Sequence, residues 1–325
     1  MKTRIIALAA MAALTAGSVL AADSTLLGLV PPDAKVVAGV RVSTVKASPF
    51  GQFILSRLHP EGQEAFQKLI AATGFDPRRD VSEILLATSS PGTHEQGLVA
   101  VRGVFDPARI ESAATSHGCT LSSVMGITMF TAGDAGRGAL ALADPTTAIL
   151  GDVDSVKAAV ARYRRRAMPS DDLLKKVQGA SQDASGAAND FWFVTTVPLS
   201  DFAPQPAPGA PGNPQMNALQ AVQQASGGAR FTADNVSLAA QLTMRSDKDA
   251  QSIADVIRFL AGMLQAHRGK DQSVNSMASL LNTLTINTTA NVTQVALVLP
   301  EAQLEQLVNM VQQHHHAENR PPRMN

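Results

Sequence analysis

The chain has 325 residues, 45% of them hydrophobic but only 4% aromatic, with 27 Lys plus Arg against 27 Asp plus Glu. This composition excludes wholesale disorder, and the balanced charge gives no electrostatic case for nucleic acid or an anionic membrane surface. A single cysteine, Cys119, excludes an intrachain disulfide, so stability has to come from burial of Leu, Val, Ile, Ala and Met.

The first 22 residues read as a secretory leader. Lys2 and Arg4 precede an uncharged apolar run, Ile5 to Leu14, and small residues close the segment at Ala21 and Ala22. The run is about half the length of a membrane-spanning helix, which predicts removal rather than anchoring. No integral membrane segment is expected after cleavage, and the expected location is periplasmic or secreted. Removing Lys2 and Arg4 leaves a net charge near −2.

Residues 23–166 read as a first α+β half. Val36 to Val42 is β-branched and predicts a strand, and Ser48-Pro49 opens a helix with Phe50, Phe53, Ile54 and Leu58 on one face. Strands are expected at Ile84 to Thr88 and Leu98 to Phe105. Asp106-Pro107 is a cap and first-turn pair for a helix over 108–116. Strands follow at Leu121 to Thr131 and Ala139 to Leu150, joined by the glycine-rich stretch 133–138. A helix capped by Asp152 or Asp154 then ends in Arg162, Arg164, Arg165 and Arg166.

Residues 167–190 are polar and read as a linker with one short helix near Leu173 to Val177. A second α+β half is expected over 191–313. It has a strand at Phe191 to Val197, a proline-rich loop over 204–214, and a helix from Gln215 to Gln224. A hairpin through Phe231 and Leu238 to Met244 follows, then amphipathic helices after Asp247 and near Val274, strands at Leu284 to Thr288 and Val292 to Leu299, and a helix opened by Pro300. The order of elements in the halves matches, which predicts an internal duplication with a ligand cleft between the halves. The fold class expected is α+β, with antiparallel or mixed sheets and helices packed on one face.

The segment Leu29-Val30-Pro31-Pro32-Asp33-Ala34, with Ser48-Pro49-Phe50-Gly51 behind its strand, resembles the start of a family of uncharacterised exported bacterial proteins. The specific match covers about 25 residues. The resemblance implies a bacterial envelope location and brings no activity and no site residues.

Candidate chemistry is sparse. His314, His315 and His316, near Glu318, are the metal-binding candidates, although adjacent residues share no helical face and the 314–325 tail reads as disordered. Ser43 and Lys46 have Ser-x-x-Lys spacing but sit at a strand end, and there is no Gly-x-Ser-x-Gly elbow. His59, His94, His117 and His267 fall in loops or at element ends. Gly133, Gly136 and Gly138 suit a hairpin turn better than a dinucleotide loop, and Arg162 to Arg166 suit a solvated helix end. No cofactor is expected. The function predicted is non-catalytic binding of a small molecule, peptide or envelope protein. The alternatives are a periplasmic hydrolase without a recognisable motif and a structural partner in an envelope complex.

Overall fold

The structure is a computed structural model, and it describes residues 22–56, 60–90, 97–132, 138–183, 185–198, 220–267 and 278–305. Residues 1–21 (most of the segment read as a leader), 133–137 of the glycine-rich stretch, the proline-rich stretch 204–214 and His314 to His316 lie outside the described residues.

The chain begins with a short turn of helix, α1 (Ser24–Leu27), and then β1 (Val36–Val40). Next come α2 (Val42–Ala47), α3 (Pro49–Ser56), α4 (Pro60–Thr73) and α5 (Pro77–Asp80). Strands β2 (Val81–Thr88) and β3 (Gly97–Gly103) lead to α6 (Pro107–Ser116). A meander follows, β4 (Thr120–Val124), β5 (Ile127–Thr131), β6 (Gly138–Asp144) and β7 (Thr147–Asp152). It is closed by α7 (Val153–Arg164) and α8 (Asp171–Ser181). The rest comprises β8 (Phe191–Thr195), β9 (Val222–Phe231), β10 (Asn235–Met244), α9 (Asp247–Ala266), β11 (Thr285–Thr289) and β12 (Val292–Pro300).

The twelve strands form one sheet, in the order β11-β12-β10-β9-β8-β1-β2-β3-β7-β6-β5-β4, and every pairing is antiparallel. The class is therefore α+β with antiparallel pairing. A duplication is not shown. Among the described residues seven strands precede the α7–α8 pair and five follow it, and β8 pairs with both β1 and β9. The sheet is therefore continuous from one half to the other through β8.

Helices cover both faces rather than one. On the front face, α1, α7 and α8 pack over a core of Leu85, Leu98, Ala100, Ala141, Ile149 and Trp192. In α7 the buried residues Val156, Ala159 and Val160 recur at helical spacing. On the back face, Ile110 of α6 packs with Phe105, Phe130, Leu142 and Ala148. Ala250 and Ile253 of α9 cover Val222, Ala225 and Met244 there. The reason is local: segments such as Leu98-Val99-Ala100-Val101 are apolar at successive positions, so both sides of the strand need a cover.

The register produces one cross-strand row on the back face that is apolar in all twelve strands. It runs Leu121, Phe130, Leu140, Leu150, Val99, Leu86, Ala38, Phe193, Gly227, Ala240, Val295, Ile286.

Helix starts follow from side-chain caps. Asp106, Asp152, Ser170 and Ser246 each accept a hydrogen bond from a first-turn backbone N–H, at 3.2, 2.9, 3.2 and 3.1 Å. The stretch read as a linker holds α8, whose Val177 and Ala180 join the front core. The helix expected from Gln215 is corrected at its end: Val222 to Gln224 belong to β9, and 215–219 lie outside the described residues. The single strand expected over 121–131 is a hairpin, turned by Met125 and Gly126 at φ of 50° and 76°.

Two glycines set the packing of the front core. A Cβ at Gly39 would stand 2.4 Å from the Trp192 indole, and one at Gly228 would stand 2.1 Å from the Asn189 amide and 2.7 Å from the Ala180 carbonyl. Gly39 makes room for the ring, and Gly228 lets the end of α8 approach β9.

Two acidic groups that enter the fold are held by several donors each. Asp190, nearly inaccessible, accepts from Arg41 at 2.7 Å and from the Phe231 N–H at 2.8 Å. Arg41 also donates to the carbonyls of Ala188 and Asn189. Asp144 accepts from the Tyr163 hydroxyl and from the Thr146 backbone and hydroxyl. Burial pulls the Asp144 carboxyl upward, but these hydrogen bonds hold it below the usual aspartate range.

Candidate functional site

On the back face, α4 and α6 stand over β2, β3, β6 and β7 and leave a cavity of about 640 Å³. Its floor is Ile84, Val101, Leu140, Leu142, Ala148 and Leu150, all carried by strand positions that alternate away from the front core. Leu69 and Ala72 of α4 form one wall, and Ile110, Ala113 and Ala114 of α6 the other. Phe75 and Phe105 close one end, with ring centroids 5.1 Å apart.

The polar side chains on this wall are Lys68, Thr73 and His117. Thr73 donates its hydroxyl to the Leu69 carbonyl at 2.6 Å, so it offers the cavity little. Lys68 is exposed and paired with Glu64 at 2.8 Å, and the exposed His117 contacts the Ala113 carbonyl through Nδ1 at 2.8 Å. The interior is thus hydrocarbon, with charge confined to its margin. The floor is continuous with the apolar row of the sheet, where Leu150 and Leu86 remain 37% and 43% exposed.

A second concavity of about 650 Å³ lies on the front face beside α8, over strands β9 to β12. Its floor includes the register row Ser226, Gln241, Gln294 and Asn287, the polar side of strands whose other side packs under α9. This is the solvated face that an antiparallel sheet commonly presents, shaped into a trough by α8.

The candidates taken from the sequence are not brought together. His314, His315 and His316 lie outside the described residues, as do His59 and His94. Among the described residues no group of three or more His, Cys, Asp or Glu could hold a metal ion. His267 repeats the His117 arrangement, with Nδ1 at 2.8 Å from the Met263 carbonyl. Lys46 donates to the carbonyls of Arg78 and Val81 at 2.7 and 2.9 Å, which makes it a tie between α2 and the start of β2. Arg162 and Arg164 donate to the carbonyls of Leu29 and Gly126, tying the end of α7 to its neighbours. Cys119 is a half-buried free thiol before β4. No helix among the described residues is long and apolar enough to cross a membrane.

Sequence reasoning missed the apolar cavity. Its signal was the two-sided apolar character of 98–101, 139–142 and 148–150, which calls for a cover on each face of the sheet.

The fold defined by these elements is an α+β arrangement, one antiparallel sheet clad by helices on both faces. No family model matches the sequence, and no curated protein matches it. Solved structures share the fold. Crystal form III of TP0453 superposes with a TM-score of 0.51 at 9% identity, over 88% of this chain and 98% of that one. Crystal form IV of TP0453 gives 0.50 at 9% identity, over 87% and 95%. At this identity the likeness concerns the fold alone.

Proposed function

We propose that this chain is an exported, non-catalytic binding protein that takes a small apolar molecule, or the hydrocarbon part of an amphiphile, into the cavity under α4 and α6. One observation carries the reading: a cavity of about 640 Å³ whose floor, walls and end are hydrocarbon. That volume lies within the ~300–1,000 Å³ of ordinary small-molecule sites. A ligand gains from leaving water there, at about 25 cal/mol per Å² of apolar surface buried. The polar end of an amphiphile would rest at the margin beside Lys68 and His117. The leader-like start, Lys2 and Arg4 before an apolar run and Ala21-Ala22, supports an envelope or extracellular setting. Hydrolysis finds no comparable support, since among the described residues His117 is the one imidazole on the wall and no serine lines it.

The test is a titration of the purified protein with an environment-sensitive fluorescent fatty acid. Saturable binding that is competed by unlabelled apolar ligands is expected. Ala113→Trp should fill the space between α6 and the floor and abolish binding while leaving the denaturation midpoint within about 1 kcal/mol of wild type. Undiminished binding by a folded Ala113→Trp protein would remove this site from consideration.

A further inference from the structure

The backbone nitrogen of Asp23 donates to Glu83 Oε1 at 3.0 Å. The Asp23 carboxylate has other work. It accepts from the Thr25 and Leu26 nitrogens at 2.7 and 3.1 Å, which starts α1, and it pairs with Arg102 at 2.7 Å. Arg102 also donates to the hydroxyls of Thr146 and Thr147. The other cation facing Glu83 is Arg41, held by Asp190 at 2.7 Å.

The charges around Glu83 are therefore Asp23 from the cap of α1, Arg102 from β3 and Arg41 from the end of β1. Each arginine has an acid of its own. Among the described residues Glu83 stands within ion-pair distance of no cation, and its hydrogen-bond partner is a neutral peptide N–H. Burial pushes the Glu83 carboxyl above the usual glutamate range, the Asp23 charge adds to this, and Arg102 and Arg41 pull against it.

The nitrogen that touches Glu83 is also the first atom of the chain that leader removal is expected to leave. We propose that Glu83 is the docking site for the amino terminus created by that removal, and that the new α-ammonium supplies the cation this carboxylate lacks. The proposal rests on the reading of residues 1–22 as a cleaved leader. A leader peptidase adds water across one peptide bond; the carboxylate leaves with the leader, and the amine stays and is protonated at neutral pH. A cut after Ala22 makes the Asp23 nitrogen the ammonium, already at hydrogen-bond distance from Oε1. A cut after Ala21 places it on Ala22, within about 4 Å of that nitrogen. Ala22 is 3% exposed and packs in the front core, so a terminus there is also fixed in place.

Processing then reverses the sign of the Glu83 contribution. In the uncut chain the carboxyl is raised, so its stabilising contribution is present at low pH and lost as pH rises through its folded-state value. Removing the charge there leaves the chain unharmed above neutrality, or stabilises it. In the processed chain the ammonium and carboxylate hold each other charged. Removing the carboxylate then destabilises the fold at neutral pH, and the loss fades as the amine deprotonates.

The experiment has three readings on the exported full chain. Intact mass gives the terminus. The α-amine is titrated by NMR after isotope-labelled reductive methylation, in wild type and in Glu83→Gln. The denaturation midpoint of Glu83→Gln is compared with wild type for the processed chain and for the uncut chain kept in the cytoplasm. The expected result is an amine that binds its proton at least tenfold more tightly in wild type than in Glu83→Gln, together with a lowered midpoint in the processed chain only. An amine that titrates in both proteins near the ordinary 7.7–8.0 overturns the docking and leaves the leader reading intact. A mass that retains the leader, or that starts beyond Asp23, overturns both. Because the uncut Glu83→Gln chain has lost no ion pair, a midpoint there that is not lowered separates loss of docking from a general failure to fold.

Discussion

Replacing Gly39 with alanine tests the front core directly. The added Cβ would stand 2.4 Å from Cε2 and Nε1 of Trp192 and 2.5 Å from Cζ2. Favourable contact between such atoms lies at about 3.5–4.0 Å, so ring and strand have to separate by about 1 Å. Neither moves freely. Gly39 is paired on both sides, with Leu85 and with Trp192, and the indole is fully buried against the front core. Overpacking of this kind costs about 1–3 kcal/mol, and the high end applies where three ring atoms are struck. The alanine recovers about 0.5–1 kcal/mol through the unfolded chain, so the expected net loss is about 2 kcal/mol.

Chemical denaturation followed by tryptophan emission reads this without a label, because Trp192 is the only tryptophan in the chain. The decisive comparison adds Trp192→Phe. That change gives up no hydrogen bond among the described residues, where the buried indole N–H has no partner. The smaller ring makes room for the new methyl, so the pair should be more stable than the sum of the single changes by about 1–2 kcal/mol, measured by circular dichroism. Additivity within about 0.5 kcal/mol would show that the glycine does not make space for the indole, and the packing argument would fail.

Two further outcomes follow from the polar groups. Asp190→Ala takes the carboxylate from Arg41 and leaves the Phe231 N–H without its acceptor, and should cost about 3 kcal/mol, read as a lowered midpoint in urea. Tyr163→Phe removes the hydroxyl bond to Asp144 and should cost about 1.5 kcal/mol at neutral pH. The Asp144 carboxyl lies below its unfolded value, so its contribution is present above that value and is lost as pH falls through the folded one. The Tyr163→Phe difference should therefore shrink in acid, and a constant difference down to pH 2 would refute it.

Much of the fold was legible where local chemistry decides it. The β-branched run from Val36 became β1, Phe191 began β8, Asp106-Pro107 capped and opened α6, and Asp152 capped α7. The start of α9 slipped by one residue, because Ser246 caps the helix and Asp247 begins it. What could not be read depended on distant partners. The strand β9 carries Gly227 and Gly228, which weaken a strand signal, and both are required by close approaches, of β10 and Phe193 in one case and α8 in the other. The apolar cavity needed the register of four strands and the placement of two helices, none of which is encoded within one segment. The setting of Glu83 beside Asp23 joins residues 60 positions apart, so no single segment signals it.

The position of β1 has a consequence for how the chain is made. Among the described strands it is the first to be synthesised, yet it sits in the interior of the sheet, with one side waiting for β8. Until residues 191–195 emerge, β1 is an exposed hydrogen-bonding edge of Val36, Val37, Ala38, Gly39 and Val40, the kind of surface that recruits other strands. The growing chain therefore holds this edge open while β2 to β7 and the two closing helices are synthesised. The β1–β8 pairing closes a long-range loop rather than a local hairpin, so a holding chaperone should raise the yield of this protein more than that of a meander of equal size.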